Sequence, residues 1–384
     1  MPVKGGRTGS AGLAVEGDRD GVSSQDAGSG EKPASRCTFR GGFLRGPGSA
    51  PVGGDSTRAG RLVANGVAPM DMPKWCRWNA KRFRIARSAP TAAVIRASLA
   101  RLAIIALVLG CAARTDPGAP ATLDVMTFNI RYGTARENDA RDEWPERAPR
   151  LRAVIAEFDP DVLGIQEALR FQIDSLRSWF PGLEETGVGR DDGREAGEYS
   201  AILYREERLE LLDGSTEWLS ETPAVPGSKS WGNEIPRIVT WARFRDRSNG
   251  RTFYVYNTHW DHQSQPSRER SAAYLLERIR AREQRADPVI VSGDFNAGED
   301  NAAFQALLAS DGAVRLVDTY RAVRTDTSNV GTFNAFTDAT DGAKIDAILA
   351  TLDWVVRDAA IVRAQIDGRY PSDHFPVIAR LSIQ

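Results

Sequence analysis

Cysteine and histidine are scarce in this chain, and each scarcity excludes chemistry. Of 384 residues only three are cysteine, Cys37, Cys76 and Cys111. From Thr122 to Gln384 there is none, so this stretch has no disulfide, thiolate metal site or thiol nucleophile. The three histidines are His259, His262 and His374. His259-Trp260-Asp261-His262 looks like half of a binuclear zinc site, but only His374 is left to complete it. Long apolar runs are also missing. Leu102–Leu109 (LAIIALVL) falls well short of the roughly 20 apolar residues of a spanning helix.

A large net charge is absent as well, at −1 overall. That balance hides an asymmetry. Residues 1–120 carry 18 basic and 8 acidic side chains; residues 121–384 carry 32 and 43. An acidic body does not draw polyanions over long range, so sliding on duplex nucleic acid is not the expected behaviour.

Four segments follow from composition. Residues 1–93 form the leader, of which residues 1 to about 69 are rich in Gly, Ser, Ala and Arg, with too few apolar residues to close a core. They read as a disordered leader or as translation from upstream of the true start. Residues 94–113 read as an export signal: Arg96 and Arg101, the apolar run, then Gly110, Cys111, Ala112 and Ala113. The small residue before Cys111 resembles a bacterial lipoprotein signal, which would place a lipid on Cys111 and the protein at the cell envelope. Residues 114–121 form a linker. Residues 122–384 are long enough to bury one large core and are expected to act as a monomer.

Within that body, strands alternate with helices. Thr122–Ile130 has period two and reads as a strand, as do the short runs Asp161–Gln166, Ser200–Tyr204 and Val289–Ser292. Arg147–Glu157, Phe171–Trp179 and Ser267–Arg285 carry helical spacing. Ile238–Arg245 and Thr252–Thr258 read as an antiparallel pair around Asn249-Gly250. Lys344–Ala350 and Phe375–Ile383 supply late strands. The class is α/β.

Chemically competent residues recur where these strands end. They are Asn129, Glu167, then His259, Asp261 and His262, then Asp294 and Asn296 in GDFN. Asp346 lies inside KIDAIL, and Asp373 and His374 in YPSDHFPV. Active sites of α/β folds collect at strand ends. Singly, each has a plain alternative: Glu167 a helix cap, Asp294-Phe295-Asn296 a turn, His374 beside Asp373 a capped turn, His262 a structural partner. Asp346 is the exception, since a carboxylate in an apolar strand needs a partner.

The ordered set TFNIRYG, IQE, GEYSAILY, NTHWDH, SGDFNA, KIDAIL and YPSDHFPV resembles the endonuclease/exonuclease/phosphatase superfamily over residues 122–384. WLSETPAVPGSKSWG and PRIVTWARF are similar to bacterial secreted members that resemble carbon catabolite repressor deadenylases. The resemblance implies a four-layer α/β sandwich of two mixed sheets flanked by helices. It implies Glu167 on Mg²⁺ (or Mn²⁺), with Asn129 and Asp373 near or on the metal. Asp294 would activate water, Asn296 would hold that water or the phosphate, and His259 and His374 would bind phosphoryl oxygens. Asp346 would orient His374 and keep it protonated. Arg131 stands where several DNA-repair members carry a second acidic residue, which argues against a second metal.

The implied activity is phosphoester hydrolysis, including 3′–5′ exonuclease action on RNA or single-stranded nucleic acid. A phospholipid, sphingolipid or small phosphate ester is the alternative substrate class. A non-catalytic surface lipoprotein on the same fold is the alternative from outside enzymes. Residues 187–199 and 228–237 are expected to line the cleft, with Tyr199, Arg190, Trp231 and Arg237 as substrate contacts.

Overall fold

The computed structural model describes residues 121–309 and 314–384. The leader, the export signal, Cys111 and most of the linker lie outside the described residues. Twelve strands form two six-stranded mixed sheets. The first has the order β11-β12-β1-β2-β4-β3, from β1 (Leu123–Asn129), β2 (Val162–Gln166), β3 (Leu183–Thr186), β4 (Ile202–Arg205), β11 (Trp354–Ile361) and β12 (Val377–Ile383). The second runs β5-β6-β7-β8-β10-β9, from β5 (Leu209–Trp218), β6 (Ile238–Asp246), β7 (Thr252–His259), β8 (Val289–Asp294), β9 (Leu316–Asp318) and β10 (Asp346–Thr351). Each sheet has one parallel pair at its middle, β1 with β2 and β7 with β8.

Side-chain alternation explains the layers. Val125, Val162, Val255, Ile290 and Ile348 point into the seam between the sheets, with Phe244, Phe253 and Phe375. Their neighbours Met126, Phe128, Leu163 and Ile165 face outward, onto α1 (Trp144–Phe158) and α2 (Arg170–Trp179). Tyr254, Tyr256, Val289 and Val291 do the same on the second sheet, beneath α3 (Gln265–Ala281) and α4 (Ala302–Leu308). A short α5 (Thr319–Val323) follows β9. Strands covered on both faces read as continuous apolar runs.

Helix bounds differ from expectation for local reasons. The first helix begins three residues before Arg147, with Pro145 in its first turn, where a missing N–H costs nothing. It ends at Asp159, in the left-handed region at φ 52°. α3 starts at Gln265, capped by the Ser264 hydroxyl. It stops at Ala281, and Arg282 turns back to donate to the Ile279 carbonyl (2.6 Å).

A buried polar layer pins the two sheets together beneath the strand ends. Gln166 Nε2 donates to Thr127 Oγ1 (3.0 Å) and Asn257 Oδ1 (2.7 Å). Asn257 Nδ2 donates to the carbonyls of Ile165 and Ala201, and Ser292 Oγ to Asn257 Oδ1. Gly164 leaves room for it: a Cβ there would sit 2.7 Å from both Asn257 Oδ1 and Ser292 Oγ. Gly164→Ala is therefore expected to cost about 1–3 kcal/mol by overpacking. Urea unfolding would show it as a lower midpoint at unchanged slope.

Candidate active site

One edge of the sandwich gathers the polar strand ends. Asn129 closes β1, and Glu167 follows β2 directly. His259 and Asp294 are the last residues of the parallel strands β7 and β8 and face each other in register. β10 runs antiparallel to β8, so its first residue, Asp346, pairs with Asp294 at the same edge. Asp373 and His374 arrive on the segment before β12, bridged to Phe333. Strand direction and register thus bring together residues from across the sequence.

The backbone around them is constrained. Arg131, Glu167 and Asn296 all have positive φ (55°, 62° and 46°). Such non-glycine conformations cost of order 1–3 kcal/mol each and cluster where function requires them.

Asp294 is the hub. Its Oδ2 accepts from Asn129 Nδ2 (3.0 Å) and its Oδ1 from the Asn296 backbone N–H (2.9 Å). His259 Nε2 lies 3.5 Å from Oδ2, and His374 Nε2 3.8 Å. Burial, then the Asp346 charge, pushes its carboxyl up to about 7, against His374 and the two amide donors. His374 Nδ1 is 2.9 Å from Asp346 Oδ2. Burial works against its proton, but the charges of Asp346 and Asp294 and this hydrogen bond outweigh it and hold its pKa well above the ordinary value. His374 is thus an imidazolium. His259 is the opposite case. Burial, then the charges of Arg237 and Arg190, holds it well below the ordinary value, so it is neutral. Its Nδ1 is buried without a partner.

A second pair of carboxylates faces this hub. Glu167 accepts from Asn129 Nδ2 (3.0 Å) and the Tyr132 N–H (3.2 Å). Asp373 accepts from Ser372 Oγ (3.3 Å) and lies 3.6 Å from the Arg131 guanidinium. Burial first, then repulsion by Glu167, raises its pKa, against His374 and two arginines. Arg131 also pairs with Glu137 (2.9 Å). Asn129 presents its amide NH₂ to the carboxylates, while its Oδ1 accepts from the Arg131 N–H (3.0 Å).

Two groups could therefore hold a cation. Asp294, Asp346 and His374 have potential ligand atoms all within 4.8 Å of one another. Two of those three residues, however, are already engaged with each other in the His374–Asp346 hydrogen bond (2.9 Å). Glu167 and Asp373 offer hard oxygens and a mutual repulsion that a divalent cation would relieve. That donor set suits Mg²⁺, which takes one or two carboxylates and keeps several waters.

Of the expected substrate contacts, Arg190, Tyr199 and Arg237 line a narrow recess beside His259. Arg190 forks onto Glu198, with both contacts at 2.7 Å. Arg237 is buried; its Nε lies 3.5 Å from Asp261 Oδ2, within ion-pair reach but without a hydrogen bond, its Nη2 lies 2.8 Å from His262 Nδ1, and its Nη1 has no hydrogen-bond partner. His262 is thereby a partner of Arg237. The Tyr199 hydroxyl donates to the Arg194 carbonyl (2.9 Å). Trp231 is not in the recess; it packs against the cluster of Leu219, Trp260 and Leu275. Arg147, Gln172, Glu198 and Ser372 also surround the site and carry no signal in the sequence. An arginine and a glutamine on amphipathic helices look like surface residues, and nothing in the pattern marks them.

The sequence profile of the endonuclease/exonuclease/phosphatase family matches residues 126–374, from β1 to His374. The chain belongs to the endonuclease/exonuclease/phosphatase family. Solved members of this family are similar in sequence and shape. One from Bacteroides vulgatus is 33% identical, covering 69% of this chain and 100% of its own, with a TM-score of 0.64. A mannosyl-6-phosphatase from Bacteroides thetaiotaomicron is 32% identical, over 68% of this chain and 100% of its own, at 0.62. The human Nocturnin catalytic domain shares the fold at 19% identity, over 69% of this chain and 94% of its own, at 0.54. No curated protein matches in sequence. Members of this family are hydrolases of phosphoester bonds, and divalent-metal dependence is typical of them.

Proposed function

We propose that the protein is a metal-dependent hydrolase of small phosphate esters. The observation that carries this is geometric: the buried Asp294 carboxylate lies 3.8 Å from His374 Nε2, and His374 Nδ1 is held by Asp346 Oδ2 at 2.9 Å. A general base works best when its pKa lies near the operating pH. Asp294 takes a proton from water as its oxygen attacks phosphorus. The ester P–O bond breaks in line, and the leaving oxygen takes a proton from solvent. His374, charged, and His259, neutral, donate to the non-bridging oxygens, where negative charge must be stabilised. Asn296 has its backbone N–H on Asp294 and its Nδ2 on the Trp260 carbonyl (3.0 Å), so its side-chain oxygen is the group left to hold the attacking water. Glu167 and Asp373 would hold Mg²⁺ or Mn²⁺, which supplies charge neutralisation at the phosphoryl group and the leaving oxygen. Asn129 keeps Glu167 and Asp294 aligned.

Two observations support the small-ester class over nucleic acid. The body is acidic, 43 against 32 charged side chains, and the 32%-identical Bacteroides thetaiotaomicron protein is a mannosyl-6-phosphatase. Export through residues 94–113, with a lipid on Cys111, belongs to the same proposal and suits scavenging outside the cytoplasm.

The test is a panel with Mg²⁺ or Mn²⁺: mannose 6-phosphate, glucose 6-phosphate, nitrophenyl phosphates, sphingomyelin, oligo(A) and single-stranded DNA. The expected kcat/KM is highest on a sugar phosphate. A preference for oligo(A) or DNA would move the substrate class back to nucleic acid, and no turnover of any member would sink the enzyme reading.

A further inference from the structure

Arg147 is only 1% exposed, on the inner face of α1. Among the described residues it has no carboxylate within ion-pair distance. It donates to three backbone carbonyls instead: Ile130 (Nη1, 2.6 Å), Arg131 (Nη2, 2.6 Å) and Pro371 (Nη1, 3.4 Å). A buried guanidinium spent on carbonyls is costly, so what those carbonyls belong to matters. They lie on the two segments that carry the site, one leaving β1 and one leading to Asp373 and His374.

The contacts form a chain. The Arg131 carbonyl also accepts from Gln172 Nε2 (3.0 Å). Together these two donors hold Arg131 in its left-handed conformation, φ 55°. That conformation aims the Arg131 N–H at Asn129 Oδ1 (3.0 Å). With its oxygen held, Asn129 can only turn its NH₂ toward Glu167 Oε1 and Asp294 Oδ2, 3.0 Å from each. Were the amide reversed, its oxygen would face two carboxylates. On the other segment, Ser372 Oγ donates to the Asn129 carbonyl (2.8 Å), beside the Pro371 carbonyl that Arg147 holds.

We infer that Arg147 is a positioning residue that acts through the Arg131 turn to fix the side-chain amide of Asn129 between Glu167 and Asp294. Its effect on turnover rests on the proposed reading of those carboxylates; its effect on Asn129 does not.

The experiment uses protein labelled with ¹⁵N-asparagine. In the wild type the Asn129 Nδ2 protons, buried and bonded to two carboxylates, are expected to exchange slowly with solvent. In Arg147→Lys, whose single ammonium cannot span three carbonyls, they are expected to exchange at least tenfold faster. Asn257, whose amide lies in the inter-sheet layer away from the clamp, serves as control and should not change. Equal loss of protection at Asn129 and Asn257 would reveal a general structural role and overturn the inference, as would no change at Asn129. If Arg147→Lys does not fold, Gln172→Leu removes the other donor to the same carbonyl and is read the same way.

In turnover, Arg147→Lys should lower kcat about tenfold or more, as loss of outer support typically does. The double variant with Asn129→Ala should be no slower than Asn129→Ala alone, because both act on one contact. Multiplying losses would overturn the pathway through Asn129. A wild type without turnover would count against the proposed function only, since the exchange measurement decides the clamp.

Discussion

Asp294→Asn is expected to lower kcat by about 10³-fold and to raise stability at pH 8. The first effect follows from losing the general base, a contribution of roughly 10²–10⁴. The asparagine keeps the size of the side chain and can still accept the Asn296 N–H, so substrate binding should change little and the loss should appear in kcat. The second effect follows from linkage. Burial and Asp346 push the Asp294 pKa from its ordinary value near 4 up to about 7. Below pH 4 the folded and unfolded states both carry the proton, and the group contributes nothing. Between pH 4 and 7 the unfolded chain ionises while the folded one resists, so stability falls as pH rises. Above about pH 7 the penalty is complete. In EDTA, the variant should therefore melt above the wild type at pH 8, with the gap closing toward pH 4. Equal melting temperatures at pH 8 would mean that the buried charge is better compensated than the geometry implies. Function held at the expense of stability is a familiar trade at active sites.

The His374–Asp346 pair gives the second large expectation. Removing His374 takes away a charged donor aimed at the phosphoryl oxygens, worth about 10²–10³ in kcat. It also leaves Asp346 buried without its partner, and one Asp346 oxygen already lacks any. Breaking a buried pair from one side costs about 3–5 kcal/mol. His374→Ala should thus be both slow and unstable. Adding Asp346→Asn should return much of the stability, because the stranded charge is gone, and none of the activity. Denaturant melts and steady-state kinetics on the three proteins separate the two effects. Activity recovered by the double variant would contradict the role given to the imidazolium.

The sheet-forming runs that build the core were legible because burial on both faces leaves an unmistakable apolar signature: Val125 to Phe128 and Val289 to Val291 are examples. β5 was not, because it carries LELLDGSTEW with several exposed positions and a register shift between Leu211 and Asp213. β11 has a similar irregularity between Val356 and Asp358. Pairing with β6 and β12 makes them strands, and no local pattern announces it. The site was legible where a polar residue interrupts or ends an apolar run, as at Asn129, Asp294 and Asp346. What could not be read was orientation. That Asn129 turns its NH₂ rather than its oxygen to the carboxylates depends on Arg131, Arg147 and Gln172, which lie on three different segments. The placement of Trp231 outside the recess beside His259 was not legible either, for a similar reason. Its partly buried side chain packs against the apolar cluster beneath α3, while Pro236 and Arg237, a few residues on, line the recess.

The central claim is hydrolysis that depends on a metal held by Glu167 and Asp373. It is tested most directly by stripping the protein with EDTA and titrating Mg²⁺ back, with wild type and Glu167→Gln side by side on the best substrate of the panel. The predicted result is loss of turnover on stripping and full return on titration. Glu167→Gln should need at least tenfold more Mg²⁺ for half-maximal rate. Unchanged turnover in the stripped wild type, or identical titration curves for the two proteins, would contradict the account.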